Sequence, residues 1–303
     1  MAKIYNKAFF GSDIVPIENA VLPVTSSAVL YGLSVYTVFP VCSTESGLVA
    51  FRLVDHFKRL LDSARIIGID TFEKQWTQEA FINAVQKTVT ANEIKEDVFV
   101  RATVHVSEQV PGTRSRGLNT TLSIFIYEPA PILPQNGARL KTSVWRRVPD
   151  YSIPSRAKVN GAYINSVLGK QDAIDSGYDD CIFLDVVGHV CELSAANIFI
   201  VRNGELITPD TSSDILEGIN RRTVLELARH LHIPAKERPI DLTELYVSDE
   251  VFACGTSSFV APITQIDRRD IATGPLTIKI REMLRKVIHG EESQFARLLI
   301  PLA

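Results

Sequence analysis

Residues 128–137, EPAPILPQNG, constrain the fold of this 303-residue chain more than any other segment. Their three prolines lack the backbone amide that helices and strand ladders need, so the segment interrupts both kinds of periodicity. A chain of this length, with 46% hydrophobic residues, can bury more than one core. The sequence therefore predicts one domain over residues 1–127 and another over residues 138–303, with residues 128–137 as the connection.

The first domain combines strand and helix patterns. VFVRATVHV (98–106) is typical of a strand with one buried face. Two other stretches have helical period, with apolar stripes at Phe57, Leu60, Leu61, Ala64 and Ile67 and at Phe81, Ala84, Val85 and Val89. We expect both helices to cover one sheet, which makes this a small α+β domain.

The second domain is richer in strand signals. Residues 181–209 predict several strands with turns at Gly188 and at Asn203-Gly204, a dipeptide that favours tight hairpins. Residues 249–266 predict a further strand–turn–strand element. Helical periods occur over residues 163–177, with apolar positions at Ile164, Val167, Leu168 and Ile174, over residues 219–231, and over residues 277–290, where a helix is expected to close the chain.

Charge and cysteine usage exclude several functional classes. The formal net charge is −3 without a long basic run, so neither nucleic acid nor an anionic membrane is expected as a partner. The cysteines (42, 181, 191 and 254) lack CxxC spacing and the histidines show no ligand pattern, so no metal site is predicted. P-loop, dinucleotide, zincin and serine-hydrolase motifs are missing as well. The N-terminus has no signal-peptide pattern, and we expect a cytoplasmic protein.

Three polar features nevertheless point to one kind of chemistry. Lys158 lies in PSRAKVNGAY, just before a predicted helix, a position where a lysine is usually solvated. Glu192 falls within an apolar strand, where a buried carboxylate needs a cationic or hydrogen-bonding partner. Gly218 precedes Ile219 and Asn220, whose amides open a helix and suit a phosphate.

Two further features complete the set. Thr256 and Ser257 lie in the turn CGTSS, whose amides and hydroxyls can bind an anion, and Arg59 flanks the apolar stripe of its helix. Each feature alone has a simpler interpretation as a helix cap, a turn or a solvated arginine. Together they offer a phosphate site, an acid for a ring nitrogen and an amine for an aldehyde, which is what pyridoxal phosphate requires.

At these residues the chain resembles the fold-type IV pyridoxal-phosphate enzymes, the class-IV aminotransferases. The resemblance covers nearly the whole chain and is carried, in order, by AVLYGLSVY, HFKRLLDSARIIGI, IPSRAKVNGAYINS, ELSAANIFIV, LEGINRRT and FACGTSS. It implies a two-domain α+β fold with a small α/β domain and a larger domain with a β-barrel-like core. It also implies a homodimer in which each partner contributes a loop to the other's active site.

The resemblance further implies roles for individual residues. Lys158 would bind the cofactor's aldehyde covalently and, once freed by substrate, move the proton of the substrate's Cα. Tyr163 would contact the phenolic oxygen, Glu192 the pyridine nitrogen, and Leu216 the ring face. The phosphate would be held by Arg59, by the amides of Ile219 and Asn220, and by Thr256.

The substrate pocket resembles that of the branched-chain amino acid aminotransferases. Its residues would be Tyr31, Tyr36, Val38, Phe99, Arg101, Thr256 and Ser257. Two departures stand out: Thr37-Val38 replaces the Glu-Gly typical of that subgroup, and a loop over residues 107–119 carries Arg114 and Arg116. These arginines could bind a dicarboxylate or could simply be solvated.

We therefore expect a pyridoxal-phosphate-dependent aminotransferase that moves the amino group of an amino acid, first of all a branched-chain L-amino acid, to a 2-oxo acid such as 2-oxoglutarate. D-amino acid and R-amine transaminases and aminodeoxychorismate lyase are alternatives within the family. A catalytically silent metabolite-binding homologue is the alternative outside enzymes, and the intact set of Lys158, Tyr163, Glu192 and Arg59 argues against it.

Overall fold

The structure is a computed structural model that describes residues 2–109 and 112–302. Its strands are β1 (Lys7–Phe10), β2 (Asp13–Pro16), β3 (Ser34–Thr44), β4 (Gly47–Phe51), β5 (Val98–Val106), β6 (Thr120–Tyr127), β7 (Ala138–Thr142), β8 (Asp180–Leu184), β9 (Val190–Leu193), β10 (Asn197–Arg202), β11 (Glu205–Thr208), β12 (Ala235–Glu237), β13 (Glu250–Gly255), β14 (Phe259–Ile266), β15 (Arg269–Asp270) and β16 (Leu299–Pro301). Its α-helices are α1 (Ser27–Tyr31), α2 (Leu53–Ile66), α3 (Thr71–Gln75), α4 (Gln78–Ala91), α5 (Tyr163–Asp175), α6 (Ile219–His230), α7 (Leu242–Leu245) and α8 (Pro275–Ile288), with 3₁₀ helices at Ile17–Asn19 and Ser293–Leu298. In the part of the chain so described, no helix is long and apolar enough to span a membrane.

The chain divides into two compact units. The first comprises Met1–Ala130, Ala157–Gly161 and Val287–Ala303, and the second Pro131–Arg156 and Ala162–Lys286. The sequence prediction assigned residues 157–161 and 287–303 to the second domain, whereas their contacts group them with the first unit. The predicted domain limits stay a prediction.

The first unit contains a seven-stranded antiparallel sheet in the order β16-β4-β3-β5-β6-β1-β2. Helix α2 packs on β3, and α4 packs on β1 and β6. Because side chains alternate along a strand, β3 turns Val35, Phe39 and Val41 toward this helical layer, where they join the hydrophobic core. The opposite face of β3 carries Tyr36 and Val38.

The last residues of the chain correct one expectation. Helix α8 forms as predicted, but it does not close the chain, because a 3₁₀ helix and β16 follow it. Strand β16 pairs antiparallel with β4, with Leu299 opposite Phe51 and Ile300 opposite Ala50. The apolar tail thus completes the sheet of the first unit, a long-range pairing that local periodicity does not reveal.

The second unit is built around a closed barrel. Strands β10, β13, β14, β7, β8 and β9 pair in that order, and pairing of β9 with β10 closes the ring. The barrel interior is filled by aliphatic side chains such as Leu140, Ile182 and Ile198. The predicted hairpin at Asn203-Gly204 joins β10 to β11, and both residues have positive φ, as a tight hairpin turn requires.

Helix α5 forms where the sequence predicts it but buries the other face. Its buried residues are Ser166, Gly169 and Ala173, which are small. Small residues are needed on this face because the helix lies close to β8, where a Cβ at position 169 would overlap the Phe183 ring. The apolar stripe lies outside instead: Ile164 is 67% exposed and Val167 59% exposed. These side chains are therefore not buried within the described part of the chain.

Candidate functional site

Lys158 lies on a short segment of the first unit that pairs with the edge of β3. The backbone amide of Tyr36 donates to the Lys158 carbonyl (3.0 Å), Val159 forms an antiparallel bridge with Val35, and the Asn160 amide donates to the Ser34 carbonyl (2.9 Å). Strand β4 pairs with β3 only further along, at residues 41–44, which leaves this edge available. The lysine is therefore positioned by a strand that is distant in sequence.

Two glycines permit this pairing. Gly32 ends α1 with φ +64°, and a Cβ there would lie 2.9 Å from the Cα of Gly161. Only a residue without a Cβ combines that left-handed conformation with such a close backbone approach. The motifs YGLSVY and KVNGAY thus contain the two halves of one backbone contact.

The side chain of Lys158 is half-buried and points toward an aromatic ring. Its Nζ lies 4.9 Å from the ring centroid of Tyr36, and the Arg101 guanidinium carbon lies 3.7 Å from the same centroid. Arg101 also donates from Nη2 to the Asn160 Oδ1 (2.8 Å), and Asn160 Nδ2 donates to Ser34 Oγ (2.6 Å). Arg101 is therefore tied to the segment that carries the lysine.

The other predicted substrate-binding residues of the first unit lie on or near this face. Val38 pairs with Arg101 across β3 and β5, and Phe99 is buried two positions before Arg101 on the same face of β5. Tyr31 is half-exposed at the end of α1, and its hydroxyl accepts a 3.1 Å hydrogen bond from the Gly112 amide. Arg114 and Arg116 are exposed, while Val110 and Pro111 of their loop lie outside the described residues.

Arg59 lies on α2, and the side chain of Ser63 connects its backbone to the backbone of Lys158. Ser63 Oγ accepts the amide hydrogen of Lys158 (3.0 Å) and donates to the Arg59 carbonyl (2.8 Å). The Arg59 side chain donates from Nη2 to Thr37 Oγ1 at 3.2 Å. Ser63 was missed by the sequence analysis, because a serine beside an apolar helix stripe carries no distinctive signal.

In the second unit, Glu192 is buried on β9 with three donors around it. Arg147 Nη2 lies 2.7 Å from Oε1, while Asn197 Nδ2 (3.0 Å) and the Leu216 amide (3.1 Å) donate to Oε2. These charge-assisted contacts favour the ionised carboxylate. Arg147 and Asn197 were missed; the available signal was a polar residue, Asn197, at the start of an apolar strand, directly opposite Glu192.

Two predicted anion-binding elements of this unit lie together. Helix α6 begins at Ile219, and Asn220 Nδ2 donates to the Gly255 carbonyl (2.8 Å), which joins the helix start to the CGTSS turn. A Cβ at Gly218 would overlap the Asn197 Oδ1, so a larger residue here would displace the Asn197 side chain, which donates to Glu192. Thr256 and Ser257 are half-buried in the turn, and Tyr163 is the half-buried first residue of α5.

One group of metal-ligand side chains occurs among the described residues. Ligand atoms of Cys42, Asp97 and His289 lie within 4.8 Å of one another, all in the first unit. A hydrogen bond of 3.0 Å between His289 Nε2 and Asp97 Oδ2 accounts for two of them. Burial raises the pKa of the Cys42 thiol, which disfavours the thiolate that a metal ion needs. The group lies outside the predicted site.

Comparison with known proteins gives a consistent family. Residues 35–266 match the family Amino-transferase class IV. A protein of Aquifex aeolicus (strain VF5) named probable branched-chain-amino-acid aminotransferase is 35% identical over 97% of this chain and 96% of its own length. The crystal structure of the branched-chain aminotransferase from Thermoproteus uzoniensis with norvaline superposes with a TM-score of 0.94 at 36% identity, covering 99% of this chain and 100% of that one. A branched-chain amino acid aminotransferase from T.th., complexed with N-(5'-phosphopyridoxyl)-L-glutamate, gives a TM-score of 0.91 at 30% identity, covering 99% of both chains.

The chain belongs to the class IV aminotransferases, enzymes that transfer an amino group. The predicted family, the α+β class with a β-barrel core and the enzyme class are thereby confirmed. The relatives that match over nearly their whole length carry the more particular name of branched-chain amino acid aminotransferases. The roles of individual site residues stay predictions.

Proposed function

We propose that this aminotransferase uses pyridoxal phosphate to transfer the amino group of a branched-chain L-amino acid to a 2-oxo acid such as 2-oxoglutarate. The observation that carries the proposal is the docking of Lys158 on β3, which presents its amine beside Tyr36 and Arg101. Relatives of known structure support it, because they were solved with norvaline and with a phosphopyridoxyl derivative of glutamate.

The chemical groups of the predicted site match those that pyridoxal phosphate requires. In the first unit Lys158 carries an amine and Arg59 a cation. In the second, Glu192 carries a buried carboxylate, and the start of α6 lies against the CGTSS turn. Ser258 of that turn has a buried hydroxyl with no hydrogen-bond partner among the described residues, as expected where an anion is to be received.

When bound, pyridoxal phosphate would supply an aldehyde for the amino group and a ring that accepts electrons from the substrate's Cα. Lys158 would hold the aldehyde through its amine and then carry a proton at Nζ. Glu192 would keep the ring nitrogen protonated, with Arg147 and Asn197 fixing the carboxylate. Tyr163 would contact the phenolic oxygen and Leu216 the ring face. Arg59, the amides of Ile219 and Asn220, and Thr256 would bind the phosphate.

Substrate selection would depend on the face of β3 and β5 that carries Arg101. Tyr36, Val38 and Phe99 supply apolar surface for a branched side chain, and the Arg101 guanidinium supplies a cation for a second carboxylate. Thr256 and Ser257, at the CGTSS turn, and Tyr31 complete the proposed set. Arg101→Gln should therefore raise the KM for 2-oxoglutarate more than the KM for a monocarboxylate 2-oxo acid.

A half-reaction screen tests the proposal. Purified holoenzyme is mixed with L-leucine, D-alanine, R-1-phenylethylamine or aminodeoxychorismate, and loss of the cofactor's absorbance reports amino transfer from each donor. We expect L-leucine to react fastest. Reaction with D-alanine or the R-amine alone would assign the chain to another transaminase subgroup, pyruvate release from aminodeoxychorismate would assign it to the lyases, and no reaction with any donor would favour a silent binding protein.

We also propose that the chain acts as a homodimer in the cytoplasm. The exposed apolar stripe of α5, including Ile164 and Val167, supports an assembly, since surfaces of this kind are seldom left in water. All four cysteines are free and buried, which suits a reducing compartment. Sedimentation of the wild type and of Val167→Glu tests the assembly: we expect a dimer that the charge dissociates, and a monomeric wild type would contradict it.

A further inference from the structure

Thr37 is a polar residue on the apolar face of β3. Its neighbours on this face, Val35 and Phe39, belong to the hydrophobic core, and Thr37 itself is fully buried. A buried hydroxyl costs stability unless it is hydrogen-bonded, and a valine would occupy nearly the same volume without that cost. The position of this hydroxyl therefore calls for a physical explanation.

The hydroxyl joins two side chains of α2. Thr37 Oγ1 lies 2.6 Å from the Nδ1 of His56, and it accepts a 3.2 Å hydrogen bond from Nη2 of Arg59. A guanidinium can only donate, so the threonine oxygen is the acceptor of that bond. The hydroxyl oxygen has a second lone pair as well as its hydrogen, so the tautomer of His56 sets the direction of its bond to Nδ1. In either tautomer the hydroxyl links Arg59 to His56 in one hydrogen-bonded chain.

The polar groups on α2 form a stripe of their own. His56, Arg59 and Ser63 are spaced by three and four residues, which places them on one side of the helix. His56 is 1% exposed and lies against the Phe39 ring, with 5.5 Å between ring centroids. Ser63 donates to the Arg59 carbonyl, so the backbone and the side chain of Arg59 are both hydrogen-bonded.

We propose that Thr37 and His56 are positioning residues, which hold the Arg59 guanidinium ready for the phosphate of the cofactor; this inference rests on the proposed function. A free arginine side chain loses much rotamer entropy when it binds a ligand. Thr37 and His56 remove that freedom before the cofactor binds, because the Thr37 hydroxyl accepts a hydrogen bond from Nη2 of Arg59. Thr37 thus acts through Arg59 and not on the reacting atoms.

The test compares two ligands that differ only in the phosphate. Dissociation constants of pyridoxal phosphate and of pyridoxal are measured by fluorescence titration of the full-length apoenzyme. We expect Thr37→Val to weaken pyridoxal phosphate by about tenfold, the loss typical of a hydrogen bond to a charged group, and to leave pyridoxal unchanged. Thr37→Ser keeps the hydroxyl and should restore the preference.

Matched variants separate positioning from general stability. Thr88→Val removes another fully buried hydroxyl, which bonds the Ala84 carbonyl within α4, and should leave the ratio of the two constants unchanged. In an Arg59→Ala background, Thr37→Val should have no further effect on pyridoxal phosphate binding. If Thr37→Val does not fold, His56→Gln, which breaks the same chain at its other end, should lower the preference for pyridoxal phosphate by a similar factor.

The outcomes are distinguishable. Equal weakening of both ligands by Thr37→Val, or an unchanged ratio, overturns the positioning role while the proposed function stands. A full tenfold effect that persists in the Arg59→Ala background overturns it as well, because the threonine would then act without the arginine. A wild type that binds neither ligand refutes the proposed function itself, and the positioning role with it.

Discussion

The amide nitrogen of Tyr36 donates a 3.0 Å hydrogen bond to the carbonyl oxygen of Lys158. This bond places the candidate catalytic lysine at the edge of β3, although the two residues lie far apart in the sequence. The same strand carries Tyr36 on one face and Thr37 on the other. Strand β3 thus contacts both the helix that carries Arg59 and the segment Ala157–Gly161, here called the lysine segment.

Gly32→Ala should disturb the lysine segment. A Cβ at this position meets the backbone of Gly161, so the segment must move in addition to the strain of a positive φ. Gly11→Ala is the matched control, because Gly11 has φ +70° with open space around it and should cost only roughly 1–2 kcal/mol. We expect Gly32→Ala to lose most of its kcat while Gly11→Ala keeps it. Equal kcat values in the two variants would contradict a role of this backbone contact.

Lys158→Ala should abolish amino transfer in a folded protein. The wild type should become covalently labelled with the cofactor's mass after borohydride reduction, and the variant should not. Lys74→Ala serves as the control, since Lys74 is exposed and forms a surface ion pair with Asp70. Mass spectrometry of the reduced proteins gives the answer, and a label on any other lysine would remove Lys158 from its role.

Glu192→Gln should reduce kcat by about 100-fold, the order seen when one electrostatic contact to a reacting system is lost. The amide can still accept from Leu216 but no longer neutralises a ring cation or Arg147. Glu250→Gln is a matched control: Glu250 is equally buried in the same unit and accepts from the Thr277 amide. Its variant should lower the melting temperature and spare kcat. If Glu192→Gln instead only weakens cofactor affinity, the carboxylate is structural.

Stability should fall as the pH drops below about 6.5, in part because of His105. Burial, followed by the charge of Arg101, lowers the pKa of His105 to about 4. The unfolded chain therefore binds a proton in the window between these values while the folded protein does not, so the free energy of unfolding decreases by roughly 2 kcal/mol between pH 7 and pH 5. His105→Gln should flatten this decrease. Urea unfolding at pH 7, 6 and 5 gives the free energy of unfolding of the wild type and of the variant. The same change of this free energy with pH in both proteins would contradict the assignment to His105.

The sequence determined the local elements and the chemistry of the site. Helix α2 and α4 follow from their apolar periods, and the Asn203-Gly204 hairpin follows from turn chemistry, because both signals come from neighbouring residues. The sequence also predicted the start of α6 after Gly218 and the burial of Glu192, since each depends on the residues next to it in the chain. These features are local, and local sequence is enough to predict them.

Only the tertiary structure decided which of these elements meet. The sequence left Ser63, Arg147 and Thr37 without a role, because hydrogen bonds between distant segments leave no periodic trace. The apolar stripe of α5 shows the same limit. Periodicity predicts that a helix has an apolar face, but whether that face is buried within the chain depends on what packs against it, and here Gly169 and Ala173 take the inner side.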